Sequence, residues 1–190
     1  MKTIEGIERV PTDRPCIIAA NHLGLLDPVI LGTVVIGRTK RKIDFLVDPA
    51  NRYWRYIGRF TTWWTHAIPV DHVHHHEFFA RLQHLIKKGD SIGIFPEGEI
   101  SKKHHLLQPK IGAVKIAHDT GAPIIPVGLR HTELSPLQAI LRRFRGPEGI
   151  TIKFGDPIFV PKSTSPTDFE AISNDLMRTI SRLSGIPYAN

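Results

Sequence analysis

Short apolar runs alternate with amphipathic segments along this chain of 190 residues. The runs are rich in Ile and Val and are bounded by Gly, Pro or charged residues, which is typical of buried strands. They predict strands over residues 16–20, 43–47, 67–70, 91–95, 124–129 and 150–154. Helical spacing of apolar positions predicts helices over residues 28–36, 76–88, 111–120 and 166–183, with a further helix start at 48–50. Strands that alternate with helices predict an α/β fold with a mixed, largely parallel sheet flanked by helices.

We expect a single domain over residues 1–190, because no linker or change in composition divides the chain. The formal net charge of +7 favours anionic partners such as nucleic acid, anionic lipid or an acidic carrier protein. The sequence has no zinc-finger spacing and no long block of Lys and Arg, so nucleic acid is the least favoured of these. The single cysteine, Cys16, lies in an apolar run and is expected to be a buried thiol in a reducing compartment.

Two polar motifs follow the ends of predicted strands, which is where ligands bind in parallel α/β sheets. The first is Asn21-His22-Leu23-Gly24-Leu25-Leu26-Asp27, and it follows the strand at 16–20. The second is Phe95-Pro96-Glu97-Gly98-Glu99-Ile100-Ser101, at the end of the strand at 91–95. Glu97 could accept a hydrogen bond from a substrate hydroxyl, and Gly98 would let the backbone approach a ligand closely.

His22 is a candidate general base, because imidazole takes up protons near neutral pH. Asp27 could hold the other ring nitrogen and fix its tautomer, provided that the chain turns at Gly24. Asp27 is equally suited to cap the helix that is predicted to begin at Pro28. No nucleophile elbow accompanies the pair, which favours direct transfer to a substrate hydroxyl over a covalent intermediate.

The pair His22-x4-Asp27, followed by Phe95-Pro96-Glu97-Gly98, resembles the PlsC-like glycerolipid acyltransferases, which acylate lysophosphatidic acid and related lipids. Three later segments also resemble that family: Pro109-Lys110-Ile111-Gly112, Gly121-Ala122-Pro123-Ile124-Ile125-Pro126-Val127 and Gly155-Asp156-Pro157-Ile158. The resemblance covers residues 7–158 and continues through the last predicted helix, and it implies a glycerol-phosphate acyltransferase-like fold.

This resemblance implies an O-acyltransferase of phospholipid biosynthesis. It would move a fatty acyl group from acyl-CoA or acyl-carrier protein to the hydroxyl of a lysophospholipid such as lysophosphatidic acid. It implies that His22 is the general base and that Asp27 orients it. The substrate-binding residues that the resemblance implies are Asn21, His72, Glu97, Gly98, Ser101, Lys110, Pro123 and Pro126. It implies no metal and no cofactor other than the thioester co-substrate.

The chain departs from the family pattern where family members bind an acceptor phosphate. His72 stands in the place of an arginine, and Glu99-Ile100 stands where the family has Thr-Arg. Loss of two guanidinium groups and gain of a carboxylate both weaken phosphate binding. Either other cations replace the arginines, or the acceptor is neutral or zwitterionic. The candidate replacements are Arg81, Lys102, Lys103 and Lys110.

Aromatic and cationic side chains are mixed in residues 52–56 and 59–64, and residues 137–145 are amphipathic and basic. Such mixtures suit a membrane interface. No apolar run approaches the roughly 20 residues that span a bilayer, and the N-terminus lacks a signal-peptide pattern. We therefore expect a cytoplasmic protein that associates peripherally with the anionic inner face of the membrane.

Two other functions stay open. An acyl-thioester hydrolase would use the same His22 to activate water in place of an alcohol. A non-catalytic lipid-binding or carrier-binding relative would keep the fold, although such a protein has no use for a base at that position. A metal site at the histidines of 72–76 and 104–105 is disfavoured, because no i, i+4 pair with a third ligand stands out.

Overall fold

The structure is a computed structural model, and it describes residues 3–24, 26–47, 67–71, 73–101, 105–131 and 149–188. One seven-stranded sheet contains strands in the order β1-β7-β6-β2-β5-β3-β4. The strands are β1 (Thr3–Glu5), β2 (Ile17–Ala20), β3 (Ile43–Val47), β4 (Ile68–Pro69), β5 (Ser91–Ile94), β6 (Ile124–Arg130) and β7 (Thr151–Phe154). The helices are α1 (Asp27–Thr39), α2 (His75–Lys87), α3 (Gly112–Thr120) and α4 (Phe169–Ser184), with 3-10 turns at Ile7–Arg9 and Pro166–Asp168.

Every neighbouring pair of strands is parallel except β6 and β7, which run antiparallel. The predicted α/β fold with a mixed, largely parallel sheet is therefore confirmed. Strand β2 lies between β5 and β6, and Ile17 pairs with Ile92 on one side and with Ile124 on the other. All four residues of β2 are buried, as expected of a continuous apolar run inside a parallel sheet.

Side chains that alternate along β2 enter two separate cores. Ile17 and Ala19 belong to a cluster that also contains buried residues of α2, α3 and α4. Ile18 and Ala20 belong to a second cluster, on the side of the sheet that α1 covers. Helices therefore cover both faces of the sheet, as is usual for parallel sheets.

The predicted helix cap at Asp27 is wrong. Helix α1 begins at Asp27 itself, and its N-cap position is occupied by Leu26, which has helical backbone angles. The Asp27 carboxylate instead accepts hydrogen bonds from the N–H groups of Leu23 and Gly24, which precede the helix. The Asp27 carboxylate thus forms its hydrogen bonds with groups of the site, and helix α1 begins without a side-chain cap.

Strand β1 was not expected from the sequence. Its residues Thr3 to Glu5 are exposed or half-buried, so no apolar run indicates a strand. It pairs in parallel with β7 at the edge of the sheet. The strands and helices that were predicted within the described residues are present, with ends that shift by at most three residues. No helix within the described residues combines the length and apolar character that crossing a membrane requires.

Candidate active site

Residues from three parts of the chain meet at the carboxyl ends of the central strands β2, β5 and β6. His22 lies two residues beyond β2, the segment from Phe95 to Ser101 follows β5, and His131 follows β6 directly. Because β2 is parallel to both neighbours, all three strands end at the same edge of the sheet. The two predicted motifs therefore come together there, with His131, a residue that the sequence analysis did not single out.

His22 and Asp27 form a hydrogen-bonded pair. His22 Nδ1 lies 2.8 Å from Asp27 Oδ2, and the side chains are 15% and 0% exposed. The turn that joins them is closed by Asp27 N–H donating to the Gly24 carbonyl over 3.1 Å. Gly24 is not among the residues with positive φ, so the turn does not require the conformational freedom of glycine.

The Asp27 carboxylate is ionised despite its burial. Burial raises the pKa of Asp27, but hydrogen bonds from His131 and His22 and from the Gly24 backbone outweigh it and hold the pKa below its usual value. The side chain also sits in the first turn of α1, where the helix dipole favours negative charge. A carboxylate that cannot donate obliges His22 to carry its proton on Nδ1.

The second ring nitrogen of His22 is the one left for chemistry. The imidazole stacks on Phe95, with ring centroids 4.1 Å apart and planes 16° from parallel. Among the described residues, none forms a hydrogen bond with Nε2. A neutral imidazole with its proton on Nδ1 presents a lone pair at Nε2, so His22 has the geometry of a general base.

The main chain of His22 is fixed by the loop after β5. Glu97 Oε1 accepts the His22 N–H at 2.9 Å, and the His22 carbonyl accepts the Ser101 N–H at 2.7 Å. The other oxygen of Glu97 accepts hydrogen bonds from the Ser101 hydroxyl and from the Leu107 N–H. Glu97 is buried, so the structure places it beneath the base, and contact with an acceptor hydroxyl stays a prediction.

Asn21 joins β2 to β6 beyond the last paired residues of the two strands. Its amide donates to the Leu129 carbonyl over 3.0 Å and accepts the Leu129 N–H at 2.7 Å. The side chain is fully buried, so both of its polar ends are satisfied within the sheet. We call this pair of hydrogen bonds the Asn21–Leu129 bracket. It ties together the chain positions just before His22 and His131.

Gly98 and Lys110 lie next to each other at the open side of the site. Gly98 has a φ of +72°, which favours glycine, and a Cβ there would lie 2.8 Å from Lys110 Nζ. Lys110 is exposed, and its N–H donates to the Pro96 carbonyl over 2.8 Å. The ammonium group therefore lies against the backbone of the predicted substrate-binding loop.

Pro123 and Pro126 do not join this cluster. Pro123 precedes β6, and its carbonyl accepts the Ile17 N–H at the amino ends of the strands, opposite His22. Pro126 pairs with Ala19 in the middle of the sheet and packs near Gly155. The predicted positions that lie outside the described residues are His72, Lys102, Lys103 and the segments 48–50, 52–56, 59–64 and 137–145. Within the described part of the chain, no three potential ligands are grouped as a metal site requires.

The sequence analysis missed His131. Its Nε2 lies 2.6 Å from Asp27 Oδ1, and the side chain is 7% exposed. A signal was available: His131 follows the predicted strand at 124–129 almost directly, and its position satisfies the same rule that drew attention to the other two motifs. The imidazoles of His22 and His131 thus hold opposite oxygens of one carboxylate.

The fold and the site define an α/β protein with a histidine–aspartate pair at the carboxyl edge of a parallel sheet. A model of the family described as "Acyltransferase" matches residues 2–130. The match covers more than half of the chain and includes His22, Asp27 and Glu97. The chain therefore belongs to the Acyltransferase family.

Three similar proteins carry related names. The chain is 30% identical over 137 residues to a chloroplastic 1-acyl-sn-glycerol-3-phosphate acyltransferase of Brassica napus, with 68% of this chain and 37% of that protein covered. It is 32% identical over 120 residues to the enzyme of that name from Bacillus subtilis, covering 63% and 57%. A probable 1-acyl-sn-glycerol-3-phosphate acyltransferase of Mycoplasma pneumoniae is 27% identical over 190 residues, covering 92% and 68%. The chain thus spans between about a third and two thirds of the length of these relatives.

A solved structure shares the fold. The crystal structure of PlsC, the 1-acyl-sn-glycerophosphate acyltransferase from Thermotoga maritima, superposes with a TM-score of 0.62 at 21% sequence identity. The superposition covers 96% of this chain and 72% of that one. This likeness supports the sheet order and helix placement described above.

Proposed function

We propose that this chain is an O-acyltransferase. It moves a fatty acyl group from the thioester of acyl-CoA or acyl-carrier protein to the hydroxyl of a lysophospholipid such as lysophosphatidic acid. The observation that carries the proposal is the His22 imidazole, held at Nδ1 by a buried carboxylate 2.8 Å away. Family membership and the names of the relatives support the same reaction.

In the proposed reaction, His22 Nε2 removes the proton from the acceptor hydroxyl as its oxygen attacks the thioester carbonyl. Asp27 stabilises the imidazolium that forms. The attack forms the new carbon–oxygen bond and gives a tetrahedral intermediate. When that intermediate collapses, the carbonyl re-forms as part of the ester and the carbon–sulfur bond breaks. The imidazolium returns its proton to the leaving thiolate, so the base is restored and no covalent enzyme intermediate is needed.

We infer that Lys110 supplies charge for the acceptor headgroup. It is an exposed cation against the Gly98 backbone, beside the loop that holds His22. Its ammonium could offset the loss of the arginine that Ile100 replaces, as a point charge and not as a bidentate partner. Ser101, Pro123, Pro126 and His72 stay predicted contributors to substrate binding.

We also propose peripheral contact with an anionic membrane. The net charge of +7 favours an anionic surface, and a lysolipid acceptor resides in a bilayer. The acyl donor, in contrast, is water-soluble. An interfacial position would let the site receive both substrates.

The test is radiolabelled acyl transfer to lysolipids presented in anionic or neutral vesicles. Donors are acyl-CoA and acyl-carrier protein, and acceptors include a phosphate monoester and a phosphocholine lipid. The proteins are wild type, His22→Ala, Lys110→Met and a control. The control is His84→Ala, which changes an exposed histidine on α2. We expect loss of about a hundredfold or more in kcat for His22→Ala and none for the control.

Each part of the proposal has its own contrary outcome. Equal activity of wild type and His22→Ala would remove His22 as the base. Free fatty acid released at a rate that no acceptor raises would identify a hydrolase. A separate flotation assay at low salt tests the membrane proposal, and wild type that floats no better with anionic than with neutral vesicles would contradict it. A KM for the phosphate monoester that Lys110→Met leaves unchanged would contradict the role of Lys110.

A further inference from the structure

His131 has no part in the proposed proton transfer, yet it contacts the group that orients the base. Its Nε2 lies 2.6 Å from Asp27 Oδ1, and it is almost as inaccessible as Asp27 itself. The family model ends at residue 130, so the match does not extend to His131. A buried histidine at such a position needs a physical explanation.

The hydrogen bonds of Asp27 divide between its two oxygens. Oδ2 accepts from His22 Nδ1 at 2.8 Å and from the N–H groups of Leu23 and Gly24 at 2.6 and 2.8 Å. Oδ1 accepts from His131 Nε2. Because a carboxylate is planar, a donor on each oxygen sets its rotation about the Cβ–Cγ bond. Donors on Oδ2 alone would leave that rotation less constrained.

The sheet fixes the two imidazoles relative to each other. The bidentate Asn21–Leu129 bracket lies one residue before His22 and two residues before His131. Strands β2 and β6 are paired up to that point, from Ile17 with Ile124 to Ala20 with Val127. His131 therefore lies next to Asp27 at the end of a strand that is paired along its length with β2. A group that positions another residue needs such a rigid support.

We propose that His131 is a positioning residue of this site. Its Nε2–H donates to Asp27 Oδ1 and fixes the carboxylate in the plane in which Oδ2 holds the His22 Nδ1–H. This inference rests on the proposed function, because it assigns His22 as the base. It adds a second imidazole to the His22–Asp27 pair, on the far side of the carboxylate.

The second imidazole also shares the negative charge of Asp27. When His131 no longer donates, more of that charge acts on His22 and favours its protonated form. The acid limb of the pH–rate profile should then move to higher pH. The titratable groups that face His22 within the described residues are Asp27 on α1, His131 after β6 and Glu97 after β5, with Lys110 nearby at Gly98.

Three substitutions of His131 distinguish a side chain that positions Asp27 through a hydrogen bond from one that only fills space. His131→Gln places an amide N–H near the position of Nε2 and should keep the donor. His131→Asn places its amide near the position of Nδ1, too far back to reach Asp27. His131→Phe keeps a ring of similar size without any donor. If His131 positions Asp27, the activity of the Gln variant should resemble that of wild type, and the Asn and Phe variants should be impaired to a similar extent.

The measurements are kcat, KM and the pH profile of acyl transfer, together with NMR of histidine-labelled protein. We expect kcat of the Asn and Phe variants to fall about a hundredfold with little change in KM, and the Gln variant to retain most activity. The hydrogen-bonded His22 Nδ1–H signal should shift or broaden in Asn and Phe only. Urea midpoints, compared among the three variants, identify any loss that comes from unfolding.

Two results would overturn the proposal. One is a wild-type kcat and acid limb in the Asn and Phe variants. The other is a Gln variant that is as impaired as Phe, with the His22 signal unchanged in all three proteins. The NMR signal needs no substrate, so it tests the His131–Asp27–His22 geometry even if wild type transfers no acyl group, an outcome that would refute the proposed function alone.

Discussion

Asp27 carries a negative charge although its side chain is fully buried. A buried charge is costly unless hydrogen bonds replace the water that it loses. Here two imidazoles and the backbone N–H groups of Leu23 and Gly24 make that replacement. The same donors that permit ionisation also fix the carboxylate in space, so charge and orientation have one cause.

The lowered pKa of Asp27 predicts a pH dependence of stability. The native pKa lies below the unfolded value, so the ionised carboxylate stabilises the fold above the unfolded value. That contribution is lost as pH falls through the native pKa. We expect the difference in unfolding free energy between wild type and Asp27→Asn to narrow as pH falls below about 4, because the unfolded carboxyl titrates near there.

Urea denaturation at pH 5, 4, 3 and 2.5 measures that difference. The matched control is Asp156→Asn, because Asp156 is exposed and its pairing with Arg9 lies at the surface. A difference in unfolding free energy between wild type and Asp27→Asn that stays constant down to pH 2.5 would contradict the prediction.

At the scale of elements, β6 connects the core to the site. Its buried residues fill the sheet, Leu129 receives both bonds of Asn21, and His131 follows its end. The last turn of α4 packs directly on its middle. A Cβ at Gly128 would lie 2.3 Å from the Ser184 backbone nitrogen and 2.4 Å from the Leu183 carbonyl carbon. Helix and strand can approach this closely only because position 128 has no side chain.

We therefore expect Gly128→Ala to destabilise the protein by about 1–3 kcal/mol, since the added methyl group meets backbone and not a flexible side chain. The matched control is Gly37→Ala on α1, where a Cβ meets nothing within 4 Å. Alanine in a helix should stabilise there by about 0.5–1 kcal/mol. Urea denaturation measures both, and equal effects of the two substitutions would refute the close packing of α4 on β6.

The elements could be predicted from sequence where burial imposes a pattern. β2, β5 and β6 are apolar runs because both faces of a central parallel strand are covered. Strand β1 could not be found this way, since its residues are half-buried or exposed and only pairing with β7 makes it a strand. The role of Asp27 was also ambiguous, because a cap and a partner for His22 need the same residue type at a helix start.

At the scale of the whole molecule, the site arises from strand order. His22, Glu97 and His131 are far apart in sequence, and they meet because β5, β2 and β6 are neighbours with one direction. The two motifs could be predicted to converge, since both follow strand ends. His131 also follows the end of a predicted strand, but the sequence does not show that β6 lies beside β2. Nothing in the pattern therefore linked His131 to Asp27.

Cys16 offers a probe of this whole arrangement. It is the single cysteine, it is fully buried, and it immediately precedes the central strand β2. Its N–H and thiol face the Ser91 hydroxyl at 3.2 and 3.8 Å, so it lies between β2 and β5. Burial raises the pKa of the Cys16 thiol to about 11, which leaves only about one thiolate in a thousand at pH 8.

Because the thiolate is the reactive form, native Cys16 should resist a thiol reagent until the sheet opens. Opening between β2 and β5 disrupts the core on both faces of the sheet, so we expect labelling to require global unfolding. In a urea series at pH 8, the free energy derived from labelling should follow the same slope and midpoint as circular dichroism. Gly128→Ala should accelerate labelling by the factor that its loss of stability predicts, and Gly37→Ala should slow it. Labelling that is rapid in buffer and indifferent to urea would instead reveal a local opening of β2, and would mean that the strand carrying His22 is not rigidly held.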